Sequence, residues 1–169
     1  MDRDEGETTD PAEGVHEDRG NGTLSAHAIL AKLSWAYLSH PGVVRSGNED
    51  FVGVYAPTIP DDAWDRGALF VVADGMGGHA AGEVASRSAV DALLEAWRDG
   101  PARPGLSDLR RAFRVANERV LALSATESGR RGMGTTLTAL ALTGTEALVA
   151  HVGDSRAYLL RDGTAAQLT

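Results

Sequence analysis

An α+β fold with antiparallel sheet and segregated helices is what the order of patterns in this sequence predicts. Period-two apolar segments come first, two helical stripes follow, and period-two segments return to the end. A Rossmann arrangement is disfavoured, because strand and helix do not alternate along the chain. The 169 residues suit one domain, or one domain with a tail. With 43% hydrophobic and 24% charged residues the composition is that of an ordinary globular protein. No run approaches the roughly 20 apolar residues of a membrane helix, and the first 25 residues are too polar for a signal peptide. A cytoplasmic domain without a membrane partner is expected. The absence of cysteine excludes disulfides, thiolate zinc sites, iron–sulfur clusters and a cysteine nucleophile together. A net charge of −8 argues against nucleic acid as a partner.

The charge is uneven, and it sets the first boundary. Residues 1–26 hold eight acids against Arg3 and Arg19, a balance of −6, with almost no large apolar side chains. Such a segment buries too little surface to offset its ordering entropy and is expected to be a disordered acidic tail. An acidic docking arm is the functional alternative. Residues 27–169 then form the ordered part.

Each element follows from its local pattern. Leu33, Trp35 and Tyr37 alternate as a half-buried strand, stopped by His40–Pro41–Gly42. Phe51–Tyr55 reads as a second strand, ended by Pro57 and Pro60. Leu69–Ala73 is a continuous apolar run, as expected of a strand buried on both faces. Val90, Leu93, Leu94 and Trp97 form one face of a helix beginning near Gly82. Pro101, Pro104 and Gly105 interrupt, and Ser107 is the expected N-cap of a second helix striped by Leu109, Phe113, Ala116, Val120 and Leu123. Strands are expected again at 135–142, 148–152 and 157–160, with turns at Gly144–Thr145 and Asp162–Gly163.

Three acidic clusters abut apolar strands. Asn48–Glu49–Asp50 precedes one, Asp74 ends another and opens a glycine run to His79, and Asp154 follows a third. An acid at the tip of a buried strand is costly unless something compensates it. Two carboxylates 4 Å apart repel by roughly 4 kcal/mol at an effective dielectric of 20. Convergence of Glu49, Asp74 and Asp154 therefore implies a cation, and oxygen donors favour Mg²⁺ or Mn²⁺. Gly75, Gly77 and Gly78 allow a tight turn and a bare carbonyl against a metal, although a plain turn or a phosphate-cradling loop has the same pattern. Arg45 has the planar fork that suits phosphate, or it pairs with a local acid on the surface. His151 fits a hydrogen-bonded strand histidine. His79, at the loop–helix junction, fits capping or support of the site as well as catalysis. The threonines of Gly132–Met133–Gly134–Thr135–Thr136 are expected to offer hydroxyls to the backbone.

Four segments recur here in a set order: Arg45–Ser–Gly–Asn–Glu49–Asp50, Val71–Val–Ala–Asp74–Gly75–Met–Gly–Gly–His79, Gly132–Met–Gly–Thr–Thr136 and His151–Val–Gly–Asp154–Ser–Arg–Ala–Tyr158. Together they resemble the metal-dependent Ser/Thr protein phosphatases of the PPM type, also called type 2C, and most of all their bacterial branch. The resemblance covers residues 33–169. It implies part of a four-layer α-β-β-α sandwich with a two-metal centre between the sheets. By position, Asp74 would bridge two Mn²⁺ or Mg²⁺ ions, and Glu49 and the Gly75 carbonyl would complete one ion's protein ligands. Asp50 would be a supporting acid, Arg45 would clamp the substrate phosphate, and Asp154 would serve a third, weaker position. The implied reaction is attack of a metal-activated water on phosphoserine or phosphothreonine in proteins that Ser/Thr kinases have modified. Met76 stands where many eukaryotic members carry a histidine proposed as general acid, so protonation of the leaving group falls to another group, such as a bound water. The chain ends at Thr169, before the family's two further metal-binding aspartates. One retained, weakened metal site and impaired activity are therefore expected, or else a non-catalytic remnant that binds phosphoproteins or another partner.

Overall fold

The computed structural model describes residues 32–43, 47–56, 65–77, 79–126 and 131–169. The acidic stretch 1–26, Arg45, Gly78 and the side chain of His79 lie outside the described residues. In chain order the elements are β1 (Asp50–Tyr55), β2 (Ala68–Met76), α1 (His79–Arg98), α2 (Leu106–Thr126), β3 (Gly134–Thr135), β4 (Leu137–Thr143), β5 (Glu146–Val152), β6 (Tyr158–Arg161) and β7 (Thr164–Gln167). Strands β1, β2, β4 and β5 form an antiparallel sheet in that order, with β3 paired to the end of β2. The β6–β7 hairpin is a separate two-stranded sheet, turned by Asp162–Gly163 with both residues at positive φ. The expected mixture of helices and antiparallel sheet is therefore present.

Alternation along β2 decides what the sheet covers. Leu69, Val71 and Ala73 face the helices and are almost fully buried, whereas Val72 on the opposite face is 48% exposed. The strand is thus buried on one face, not on both as its unbroken apolar run suggests. Helix α1 contributes Ala85, Ala89, Val90, Leu93 and Trp97 to the core, and α2 contributes Leu109, Ala112, Ala116 and Val120. Small residues on α1 let the helix lie close to the sheet, and its Val90 and Leu94 pack on the bare backbone of Gly53 in β1. On the other side, an apolar cleft of about 630 Å³ separates Phe70, Val72 and Leu140 from Tyr158 and Leu159 of the hairpin. Among the described residues no helix is long and apolar enough to cross a membrane.

Four local expectations need correction. Residues 33–37 form no strand, because they join no ladder; Trp35 instead stacks on Tyr37 at 6.4 Å and tilts against Phe70 at 5.8 Å between centroids. Helix α1 begins at His79 rather than near Gly82. Gly105, not Ser107, caps α2: its carbonyl accepts from the Asp108 and Leu109 amides, and its own amide donates to Oδ2 of Asp108 at 3.0 Å. An acid three positions into a helix reaches back in this way and also suits the helix dipole. Finally, the stretch 135–142 is two strands, β3 and β4, interrupted at Thr136.

Leu93 is fully buried and Leu121 is 60% exposed, both on helices. Leu93→Ala is expected to lower unfolding free energy by ~2–5 kcal/mol, and Leu121→Ala by no more than ~0.5 kcal/mol. Urea denaturation followed by circular dichroism measures both.

Candidate metal centre

The antiparallel order brings the start of β1, the end of β2, the start of β4 and the end of β5 to one end of the sheet. Glu49, Asp74 and Asp154 all belong to that end. Asp50 lies directly opposite Asp74 in the β1–β2 register. One residue further, the Gly75 amide donates to the Glu49 carbonyl at 3.1 Å.

Glu49 is seated by α1. Its carbonyl also accepts from the fully buried Ser86 hydroxyl at 2.6 Å. Glu49 is only 8% exposed, and its carboxylate turns under the first turns of the helix at Gly82. A Cβ on Gly82 would collide with Oε2 of Glu49 and would lie 3.1 Å from the carbonyl carbon of Gly75. The carboxylate and the Gly75 carbonyl group thus meet at one bare patch of helix backbone. A Cβ on Gly75 would in turn strike the Gly82 carbonyl oxygen and approach the Glu49 carbonyl oxygen at 2.8 Å. Glycine is required at both places for the strand end and the helix to touch.

Asp74 is held from the other side. Gly75 pairs with Thr135 and Val72 with Thr138, so Thr136 falls opposite Asp74. The Thr136 amide donates to the Asp74 carbonyl at 2.9 Å, and the Asp74 amide donates to Oγ1 of Thr136 at 3.0 Å. A hydroxyl here replaces the ladder carbonyl, which is why the strand is interrupted at this residue. The Thr135 hydroxyl, with one proton, is shared between the Asp74 carbonyl at 3.0 Å and the Thr136 carbonyl at 2.8 Å. The expectation that these threonines serve the backbone is realised.

The turn carrying Asp154 is tied to the same residue. Oγ1 of Thr136 and Oγ of Ser155 are 2.8 Å apart, and Gly153 packs on the Thr136 side chain. His151 fixes the turn from β5: Nε2 donates to the Gly153 carbonyl at 2.9 Å, so Nδ1 takes the Thr138 hydroxyl at 2.9 Å. Asp154 itself is exposed. Among the described residues, no three Asp, Glu or His side chains are close enough together to hold a metal ion. The structure joins Glu49 to Gly75 and fixes the backbone of Asp74; Asp154 stays in its own turn.

The sequence pattern of the protein phosphatase 2C family matches residues 58–169, which is well over half of the chain. The chain belongs to the protein phosphatase 2C family. The serine/threonine protein phosphatase PstP of Mycobacterium tuberculosis is 45% identical over 141 residues, covering 83% of this chain and 25% of that protein. The serine/threonine phosphatase stp of Listeria welshimeri is 39% identical over 132 residues, covering 76% of this chain and 50% of that protein. A solved catalytic domain of PstP in complex with two manganese ions superposes with a TM-score of 0.64 at 45% identity, covering 78% of this chain and 53% of the other. The chain therefore spans between a quarter and about half of the length of these relatives.

The residues present fit a hard divalent cation. All donors are oxygens, one of them a carboxylate packed against a bare helix turn beside a backbone carbonyl group. Sequence reading missed Gly82 and Ser86 as supports of Glu49. Their spacing of four residues, which puts both on one side of α1, was the available signal.

Two substitutions test this arrangement. Gly82→Ala is expected to lower unfolding free energy by ~1–3 kcal/mol, because the added Cβ overpacks Glu49 and the Gly75 backbone by more than alanine's helix preference returns. By displacing the Glu49 carboxylate it should weaken Mn²⁺ binding by about tenfold or more in calorimetric titration. Thr136→Val keeps the shape but removes the hydroxyl that the Asp74 amide donates to, and should lower unfolding free energy by ~0.5–1.5 kcal/mol in urea.

Proposed function

We propose that this chain supplies part of a metal-dependent phosphatase site that hydrolyses phosphoserine and phosphothreonine in proteins. The observation that carries this reading is the meeting of the Glu49 carboxylate and the Gly75 carbonyl group at Gly82, beside an Asp74 whose backbone is bonded on both sides. Membership of the protein phosphatase 2C family and likeness to a manganese-bound catalytic domain support it.

In this reading Glu49, Asp74 and the Gly75 carbonyl hold Mn²⁺ or Mg²⁺, and Asp154 serves a further, weaker position. Such an ion, when bound, acidifies water and offsets charge on phosphate oxygens. Asp50, opposite Asp74 in the register, is the supporting acid. Arg45 offers a bidentate fork to the phosphate of the substrate. Thr135 and Thr136 keep Asp74 from moving as the site changes charge, and Ser86 does the same for Glu49. The substrates are phosphorylated proteins in the cytoplasm, made by Ser/Thr kinases.

Because no three acids cluster among the described residues, a role in binding phosphoproteins or another partner without catalysis is the second reading. Calorimetric titration with Mn²⁺ and hydrolysis of a phosphothreonine peptide, each compared with Asp74→Asn, separate the two. Manganese-dependent hydrolysis that falls by about 100-fold or more in the variant supports the phosphatase. Equal background from both proteins supports the binding role.

A further inference from the structure

The chain has three methionines, and the two described ones flank the β2–β3 pair in opposite environments. Met133, just before β3, is 6% exposed, whereas Met76, two residues beyond Asp74, is 62% exposed. The Met76 side chain lies over Gly134, its strand partner, with Cε 2.7 Å and Cγ 3.6 Å from where a Cβ on that glycine would be. The thioether thus fills the space of the missing side chain. A cavity of about 240 Å³, lined by Met76, Met133, Gly134 and Thr135, adjoins it and gives a small oxidant room to approach.

We propose that Met76 is an oxidation site, and that its sulfoxide loosens the clamp on Asp74. Hydrogen peroxide is the oxidant. A sulfur lone pair attacks one peroxide oxygen, an S–O bond forms and the O–O bond breaks. The sulfur is oxidised by two electrons, the two peroxide oxygens gain one each, and the departing oxygen leaves as water after proton transfer. The product is a polar group with a strong acceptor, in a place where an apolar chain lay on bare backbone. It turns out to solvent and uncovers Gly134. The next pair along is Gly75 and Thr135, and the Thr135 hydroxyl and Thr136 amide both bond the Asp74 carbonyl. Loss of cover at Gly134 therefore reaches Asp74 through two residues. None of these contacts involves a metal, so failure of metal binding leaves the consequence measurable.

The test treats the full chain with hydrogen peroxide and follows tryptic peptides by mass. Arg66, Arg87, Arg131 and Arg156 place the two methionines on different peptides, 67–87 and 132–156. Sulfoxide is expected at Met76 about tenfold or more faster than at Met133. Hydrogen exchange at the Thr136 amide, read by NMR without metal, should rise about fivefold or more on oxidation and return after methionine sulfoxide reductase. In Met76→Leu the same amide should not respond to peroxide. Equal oxidation of both methionines overturns the proposal. So does an unchanged Thr136 amide once Met76 is fully oxidised.

Discussion

Asp74 is held through both of its backbone groups, and the placement of the surrounding residues follows from how that is done. An acid at the end of a central strand faces two demands: its amide and carbonyl need partners, and its side chain has to stay available. Thr136 meets the first demand with one amide and one hydroxyl, while Thr135 adds a second hydroxyl to the carbonyl. The register of β3 and β4 passes unbroken through this point, so the clamp is part of the sheet itself. The same Thr136 hydroxyl meets Ser155, which links the Asp154 turn to Asp74 by a short polar path. His151 stiffens that turn from the neighbouring strand without any role in chemistry being required of it.

Close approach of helix to strand provides the second half of the site. A carboxylate buried to the extent of Glu49 needs fixed neighbours, because burial removes water that would otherwise solvate it. Here the neighbour is the bare backbone around Gly82, and Ser86 one turn later anchors the Glu49 carbonyl. Helix α1 lies this near where Gly82 meets β2 and where Val90 and Leu94 settle on Gly53 of β1, and Leu93 and Trp97 add the apolar contact that keeps it there. Packing energy at one end of the helix thus sustains polar geometry at the other. Arg87, with its guanidinium 4.3 Å from the Phe51 ring, braces the same helix against β1.

The two faces of the sheet have different fates. Helices cover one face with a continuous core. Phe70, Val72 and Leu140 on the other look across an apolar cleft toward the β6–β7 hairpin, with Trp35 against one margin. The acids at the sheet's end differ in cover: Glu49 is buried against the helix, while Asp74 at the end of β2 is exposed.

Much of this was legible in the residues themselves. The order of strands and helices, the Asp162–Gly163 hairpin and the service of the threonines to backbone groups all follow from periodicity and turn chemistry over a few neighbours. The corrections share a different origin. Leu69–Ala73 reads the same whether one face or both are covered, and the Trp35 segment alternates whether or not a ladder partner exists. Gly105 displaced Ser107 as a cap because Asp108 could reach back to its amide. The contact of Glu49 with Gly82 and Ser86 joins residues more than thirty positions apart. Local sequence determined the type and order of most elements, because dihedral preference and apolar spacing act between near neighbours. Tertiary structure alone decided which backbone met which side chain, because that depends on how closely a helix of small residues can settle on a strand.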